Sequence, residues 1–280
     1  QASLRSVVPS PRAVRQRQNR RARSARRSAR AIANAEVLTE EVLNEEEKSK
    51  LDPSPDTFFY SQPRFCFHVD EQFLGQLTEL YSILLEPGDD VLDICSSHVS
   101  HLPPEMEPSG GPRSLNRVVG HGMNQSELAA NPVFESFFVR DLNKETSLAA
   151  PCTSDAAFDA VLCCVSIQYM QNPTELFEEI HRVLKPGGVV VISFSNRMFY
   201  SKAVKAWRDG DGYYRLKLVR RYIRSVPGFA APEVVTEVGP SDRSPLGLLK
   251  RVVKRMRGDP FYAVVARKLD DGEAPAPADA

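Results

Sequence analysis

The chain has 280 residues, 42% of them hydrophobic, and carries equal numbers of basic and acidic side chains. This length holds one α/β domain with extensions, or two small domains. No run of about 18 apolar residues occurs, so no transmembrane helix is expected. The five cysteines are odd in number, and Cys163 and Cys164 lie in an apolar run, which favours free thiols in a reducing compartment.

The equal charge totals hide a basic N-terminal segment. Residues 1–35 contain ten Arg and no acidic residue, which leaves 26 basic against 36 acidic side chains in the rest of the chain. An Arg- and Ser-rich segment without acids is typical of an organelle transit peptide, disordered in the precursor. The alternative is a nucleic-acid-binding arm. Because the acid-free run ends where acidic sequence begins at Glu36, we expect targeting to the chloroplast or, alternatively, the mitochondrion, and no nucleic-acid partner.

Residues 36–84 predict N-terminal helices and an aromatic segment. Residues 36–50 have helical spacing followed by an acidic run. Residues 51–68 combine three prolines with several aromatic side chains, so we expect an irregular segment laid over a site or over the edge of the core. An apolar stripe over residues 73–84 predicts an amphipathic helix.

An alternation of strands and helices predicts an α/β domain over residues 85–268. Short links between strand, helix and strand favour a Rossmann-like, doubly wound, mostly parallel sheet with helices on both faces. The basic amphipathic helix at residues 246–257 either packs on the sheet or contacts an anionic membrane surface. The acidic, Pro- and Ala-rich tail, residues 269–280, is expected to be disordered. Strands are expected at 90–94, 117–122, 134–139, 157–165, 189–194, 232–238 and 261–266, and helices at 123–131, 172–184 and 196–225.

Polar residues follow the first strand, where an open α/β sheet binds its ligands. Asp93 lies near the carboxyl end of that strand, and the turn after it is Cys95-Ser-Ser-His98 instead of a glycine turn. The missing G-x-G-x-x-G argues against a nicotinamide dehydrogenase. Cys95, His98 and His101 are thiol and imidazole groups at short spacing, which makes a metal site a candidate. These positions converge poorly on one ion and no fourth ligand is evident, so no metal is expected.

The order of motifs resembles the class I S-adenosylmethionine-dependent methyltransferases, in particular their type 11 family. The most specific part is the strand that begins Phe158-Asp-Ala-Val, followed about 25 residues later by the turn Leu184-Lys-Pro-Gly-Gly188. The resemblance covers about residues 85–270, and the run at 193–213 looks like a plastid-type branch found in plants and algae. It implies a seven-stranded sheet with an antiparallel last strand. It also implies an S-adenosyl-L-methionine donor across the carboxyl ends of strands one to four.

The resemblance also implies which residues bind the donor. Asp93 matches the acid near the donor's amino-acid end, and Gly122 stands where an acid normally binds the ribose hydroxyls. The other matches are Cys95, Ser96 and Ser97 at the glycine turn, Met123 packing on the adenine with Asn124 beside it, Asp141 and Leu142 at the adenine edge, and Cys164, Val165 and Ser166 at the methionine part.

Two of these positions depart from the family. The turn lacks glycine, and the ribose acid is replaced by Gly122. Losing the charge-assisted contacts of that acid is expected to lower the affinity for the donor by about tenfold or more. Two compensations stay open at this point. Ser96 and Ser97 restore some of the hydrogen bonds, or another acid such as Glu127 reaches the donor.

We therefore expect a methyltransferase that acts on a small-molecule or lipid-like acceptor. The alternative is a catalytically inactive, methyltransferase-like binding or assembly factor. The catalytic candidates are His121 as a general base, Tyr169, and Arg197 for an acidic group of the acceptor. Further candidates for the acceptor wall are Asn196, Tyr200, Trp207, Tyr213 and Tyr214.

Overall fold

The computed structural model of the protein describes residues 41–108, 111–150, 153–238 and 258–270. Three predictions lie outside these residues: the targeting segment at 1–35, the basic helix at 246–257 and nearly all of the acidic tail. Of the helices in the described ranges, none is long and apolar enough to cross a membrane.

A seven-stranded sheet lies at the centre, with the strand order β3-β2-β1-β4-β5-β7-β6. The first five strands pair in parallel, while β7 is antiparallel to both of its neighbours. This confirms the predicted mostly parallel sheet and its antiparallel last strand. The strands are β1 (Asp90–Ile94), β2 (Arg117–Gly122), β3 (Ser136–Val139), β4 (Phe158–Cys164), β5 (Leu184–Phe194), β6 (Glu233–Val235) and β7 (Tyr262–Arg267).

Helices cover both faces of the sheet, as a doubly wound fold requires. One face packs against α5, α6 and α7, and the opposite face packs against α3. The α-helices are α1 (Glu45–Lys48), α2 (Asp56–Phe59), α3 (Glu71–Leu84), α4 (Gln125–Ala129), α5 (Pro173–Val183), α6 (Lys205–Arg208) and α7 (Gly212–Arg224).

The helix α3 forms where the apolar stripe predicts it. The Asp70 carboxylate accepts a hydrogen bond from the Phe73 amide at 2.9 Å and so caps the first turn. Phe73, Leu77 and Tyr81, spaced at i, i+4 and i+8, are buried against the sheet. The helix ends at Leu84, before Pro87 and Gly88.

Two element predictions were partly wrong, because tertiary contacts override the local pattern. The Leu184–Gly188 turn does not separate α5 from the strand. Instead, Leu184 pairs with Phe158, and β5 starts there with a bulge. Residues 196–204 are not helical, since the Phe199 amide donates to the Tyr169 hydroxyl at 2.9 Å and the Val204 amide donates to the Gln168 carbonyl at 3.0 Å. Those amides are satisfied outside a helix.

Candidate functional site

A cavity of about 370 Å³ lies at the carboxyl ends of β1, β2 and β4. This is the edge at which open α/β sheets bind ligands, and the volume suits a small organic molecule. Of the predicted donor-binding residues, only Gly122 is absent from the lining. The others are Asp93, Cys95, Ser96, Ser97, Met123, Asn124, Asp141, Leu142, Cys164, Val165 and Ser166.

Asp93 forms the floor of the cavity. It is 4% exposed, and the Ser96 hydroxyl donates to its carboxyl at 2.6 Å. Burial raises the pKa of the Asp93 carboxyl to about 7, although the hydrogen bonds from Ser96 and Ser100 oppose the shift. The carboxyl therefore changes charge near neutral pH, and a bound cation would hold it ionised.

The turn after β1 takes a glycine-like conformation without glycine. Cys95 has a φ of 55°, in the left-handed region that favours glycine. At the end of β4, Val165 has a φ of 44°, and its amide donates to the Ser193 carbonyl at 2.8 Å. Each such residue costs about 1–3 kcal/mol, and such strain clusters at ligand sites. Both strained residues face the same cavity.

His121 holds this turn against β2. The Cys95 amide donates to its Nδ1 at 3.1 Å, so the ring proton is on Nε2, which lies 3.1 Å from the Arg140 carbonyl. The Ser96 amide donates to the His121 carbonyl at 2.8 Å. His121 is 1% exposed and has neither ring nitrogen free. His121 lines the cavity, and both of its ring contacts hold backbone groups in place; its role as a general base stays a prediction.

The pinned turn explains why glycine occupies position 122. A Cβ atom at Gly122 would lie 2.5 Å from the Ser96 carbonyl oxygen and 3.1 Å from a methyl group of Leu128. A contact of 2.5 Å with a backbone atom forces the backbone to move. The acid that the methyltransferase resemblance implies at this position therefore has no space here.

A different carboxylate, that of Glu127, lines the cavity from the first turn of α4. It is 8% exposed, and its two oxygens accept hydrogen bonds from the Ser97 hydroxyl at 2.6 Å and from the Arg64 amide at 2.7 Å. Across the described ranges, no Lys, Arg or His side chain pairs with it as an ion. Sequence reasoning had offered Glu127 only as one of two alternatives, because its contacts join distant segments.

Residues 56–69, which we call the strap, cover the cavity, as the aromatic segment predicts. The strap is fixed at its start, where the Asp56 carboxylate accepts from Lys50 at 2.6 Å and from the Asn143 amide at 3.0 Å. The Asn124 side chain donates to the Tyr60 carbonyl at 2.9 Å and also caps α4. Asn124 therefore lines the cavity, but its side chain holds the strap.

The strap also carries a cluster of rings and one guanidinium group. The Arg64 guanidinium lies 4.5 Å from the Phe59 ring centroid and 5.5 Å from that of Phe199. The His68 and Phe199 rings meet edge to face at 5.4 Å. Burial lowers the pKa of His68, so this imidazole is neutral at neutral pH. This side of the cavity is thus rich in aromatic rings, with one guanidinium group packed on them.

The other two catalytic candidates, like His121, lie in the cavity wall. The Tyr169 hydroxyl accepts from the Phe199 amide, and burial raises the pKa of the phenol, so it stays neutral. Arg197 has a 59% exposed side chain, and its Nε donates to Asp259 at 2.7 Å. Within the described ranges its terminal nitrogens make no hydrogen bond, which leaves them open to an acidic group.

The other predicted wall residues do not line the cavity. Trp207 is fully buried in the core, where its ring packs edge to face on Phe194 with centroids 4.8 Å apart. Tyr200 and Tyr213 point to solvent. Of the predicted wall residues, only Tyr169 and Arg197 line the cavity, because the chain leaves the site after Phe199 and the helices that follow pack on one face of the sheet.

The described part of the chain contains no group of three or more His, Cys, Asp or Glu residues placed to hold a metal ion. The His98 ring stacks on that of Phe67 with centroids 6.0 Å apart, and His101 contacts the same ring. Cys66, Cys95, Cys163 and Cys164 are free thiols.

Comparison with known proteins identifies one segment of the chain. Residues 123–192 match the methyltransferase domain family named Methyltransf_11. A malonyl-[acyl-carrier protein] O-methyltransferase of Marinomonas sp. (strain MWYL1) is 40% identical over 53 residues, 19% of this chain and 20% of that protein. The biotin biosynthesis bifunctional protein BioHC of Teredinibacter turnerae is 34% identical over 59 residues, 21% of this chain and 10% of that protein.

Solved structures are similar in fold at low sequence identity. An S-adenosylmethionine-dependent methyltransferase from Mesorhizobium loti is 18% identical, with a TM-score of 0.46, and the match covers 70% of this chain and all of that one. This chain spans no more than about a fifth of the length of the curated relatives that it matches. Residues 123–192 are thus similar to a methyltransferase domain, and they lie within a seven-stranded sheet whose penultimate strand in space is antiparallel.

Proposed function

We propose that the protein transfers a methyl group from S-adenosyl-L-methionine to a small-molecule or lipid-like acceptor held under the strap. One observation carries this proposal. A cavity at the carboxyl edge of the sheet, partly covered by the strap, is lined by nearly every residue that the methyltransferase resemblance assigns to the donor. The domain match over residues 123–192 supports the same activity independently of the cavity.

The residues present fit such a donor. A buried carboxyl at Asp93 suits the ammonium group of a methionine moiety, because opposite charge favours its ionised form. Asp141 and Leu142, directly after β3, line the cavity where an adenine edge is expected. The left-handed backbone at Cys95 gives the turn the shape that glycine usually provides.

When bound, the donor supplies an electrophilic methyl group on a sulfonium centre. The chain contributes placement. The floor residue Asp93 fixes one end of the donor, and the strap excludes water from the face opposite the sheet. Since both nitrogens of His121 are bonded to the backbone, proton removal by this residue is not part of the proposal. In-line placement of an acceptor against the methyl group then supplies most of the acceleration.

The acceptor class follows from the wall opposite the donor residues. Phe67, Tyr169, Met198 and Phe199 present apolar and aromatic surface, and Arg197 supplies an exposed cation. This combination suits an apolar molecule with one acidic group. The substrate in the name of the Marinomonas relative is not carried over, because the identity with it is confined to 53 residues.

We further propose an organelle location, in a chloroplast or alternatively a mitochondrion, from the acid-free, Arg-rich residues 1–35. A fluorescent protein fused after residue 60 should enter that organelle, and replacing the ten arginines by glutamine should leave it in the cytosol. Peripheral contact with an anionic membrane through residues 246–257 is part of the same proposal. Sedimentation of the full chain with phosphatidylglycerol vesicles tests it.

Donor binding tests the activity at its first step. Isothermal titration of the full chain with S-adenosyl-L-homocysteine should give saturable binding with one site per chain. Mass spectrometry of freshly purified protein should find the donor or its demethylated product. Absence of binding at about millimolar ligand, near the weak end of specific binding, would refute the proposal.

A second candidate function rests on the Ser97–Glu127 hydrogen bond, which fills part of the turn. A turn closed in this way suits a methyltransferase-like binding or assembly factor that no longer turns over. The two functions differ in one measurement. Incubation with methyl-labelled donor and an organelle extract should label an acceptor if the protein is an enzyme, and should leave all extract components unlabelled if it is not.

A further inference from the structure

We infer that Glu127 is the residue that binds the ribose diol of the donor, in place of the acid that position 122 cannot carry. This inference rests on the proposed function and assigns one contact within it. It follows from three observations: the closed space at Gly122, the buried and incompletely bonded carboxylate of Glu127, and the hydrogen bonds that join the start of α4 to the strap.

The first step is the loss of space at the usual position. His121 pulls the turn onto β2 through the Cys95 and Ser96 amides. The Ser96 carbonyl oxygen consequently lies 2.5 Å from where a Cβ of residue 122 would be. An acid at this position is therefore incompatible with a turn that His121 holds. Any carboxylate for a diol has to come from a neighbouring element.

The second step is the state of Glu127. A carboxylate has about four acceptor positions, and a buried one costs free energy unless they are filled. Glu127 is 8% exposed, and neutral donors, Ser97 and the Arg64 amide, fill one position on each oxygen. Among the residues that the structure describes, no other donor reaches these oxygens, so each keeps a free lone pair, and Glu127 lines the cavity. Two adjacent hydroxyl groups are the donor pair that completes such a carboxylate.

The third step is the link to the strap. Glu127 bonds to the Arg64 amide, and Asn124 on the same turn bonds to the Tyr60 carbonyl. A diol bound at Glu127 is therefore enclosed between the turn after β1 and the strap. The same contact that recognises the ribose also holds the cover over it, so ligand binding should steady the strap.

The test compares two ligands on matched variants of the full chain. The probes are S-adenosyl-L-homocysteine and its 2′-deoxy analogue, measured by isothermal titration. Glu127→Gln keeps the shape and removes the charge, and the exposed Glu135→Gln serves as the control. We expect Glu127→Gln to lower the affinity for S-adenosyl-L-homocysteine by about 10- to 100-fold, because a hydrogen bond to a charged group is lost. Glu135→Gln should bind the ligand with wild-type affinity.

The loss of affinity on removal of the 2′-hydroxyl should depend on whether Glu127 is present. Wild type should lose about tenfold or more in affinity on removal of the 2′-hydroxyl, whereas Glu127→Gln should lose less than about threefold. If Glu127→Gln does not fold, as judged by its thermal unfolding, the deoxy analogue on wild type still decides. Equal affinity of wild type for both ligands, or unchanged affinity in folded Glu127→Gln, would overturn the ribose assignment alone. Failure of wild type to bind S-adenosyl-L-homocysteine would overturn the proposed function as well.

Discussion

Asp93→Asn should stabilise the protein at alkaline pH and leave its stability at acidic pH almost unchanged. The native pKa of this carboxyl is raised from 3.8 to about 7 by burial. Because the protonated form is favoured in the fold, its contribution to stability is full below the unfolded pKa and is lost as the pH rises toward 7. Between about pH 5 and pH 7 the unfolded chain has released this proton and the native chain has not. The loss over that interval is about 1.4 kcal/mol per pH unit, or about 3 kcal/mol.

The assay is urea unfolding at about pH 5 and about pH 8, with Asp209→Asn as a control on an exposed carboxylate. The difference in the free energy of unfolding between wild type and Asp93→Asn should change by about 3 kcal/mol between the two pH values. The control variant should show the same pH dependence as wild type. Donor binding should show the opposite sign. Affinity of wild type for S-adenosyl-L-homocysteine should rise about tenfold from pH 6 to pH 8, as the carboxylate ionises to meet the ammonium group. A parallel pH dependence of stability in wild type and Asp93→Asn would refute this reasoning.

Three further predictions concern the residues that shape the cavity. Gly122→Ala should lower the free energy of unfolding by about 1–3 kcal/mol, measured by urea titration, because its Cβ meets the Ser96 carbonyl at 2.5 Å; wild-type stability would contradict the close contact. His121→Phe should cost about 1–3 kcal/mol by leaving the Cys95 amide without its acceptor, whereas the half-exposed His98→Phe should cost less than about 0.5 kcal/mol. Lys202→Met should cost about 3–5 kcal/mol, since its 1% exposed ammonium donates to the Ser54 carbonyl at 2.7 Å and pairs with Asp52 at 3.0 Å. Lys202 also pairs with Asp56 at 3.5 Å, at the start of the strap, so faster proteolysis within residues 50–69 should accompany that loss. Unchanged cleavage would contradict a role of Lys202 in holding the strap.

Much of the fold was predictable because its signals are local. The strand β1 has the predicted bounds, since a short apolar run between turn signals is what a doubly covered parallel strand requires. The start of β5 was not predictable, because the pairing of Leu184 with Phe158 is a contact between distant parts of the chain. Residues 196–204 lack a helix for a similar reason, since Tyr169 and Gln168 satisfy amides that a helix would otherwise bond.

The site divides along the same line. Asp93, Asp141 and Ser166 reach the cavity because strand ends in a parallel sheet converge at one edge, so their order along the chain fixes their place. The role of His121 depends on which backbone amide meets its ring, and no spacing in the sequence encodes that contact. Aromatic residues on helices, such as Trp207, cannot be assigned to a binding site from sequence alone. An aromatic residue buried in the core and one that lines a ligand pocket show the same spacing along the chain.

These contacts explain the two departures from the methyltransferase pattern, the missing glycine turn and Gly122, by one structural change. A histidine at position 121 bonds the turn to β2, and the turn then takes a left-handed residue at Cys95 and closes the space beyond Gly122. A glycine turn would need no such support, and an acid at position 122 would need the space that this support removes. Restoring an acid at position 122 without removing the His121 contact should therefore not restore a ribose-binding site. Gly122→Asp should not raise donor affinity unless His121 is also replaced, and a gain from Gly122→Asp alone would show that the turn and position 122 are independent.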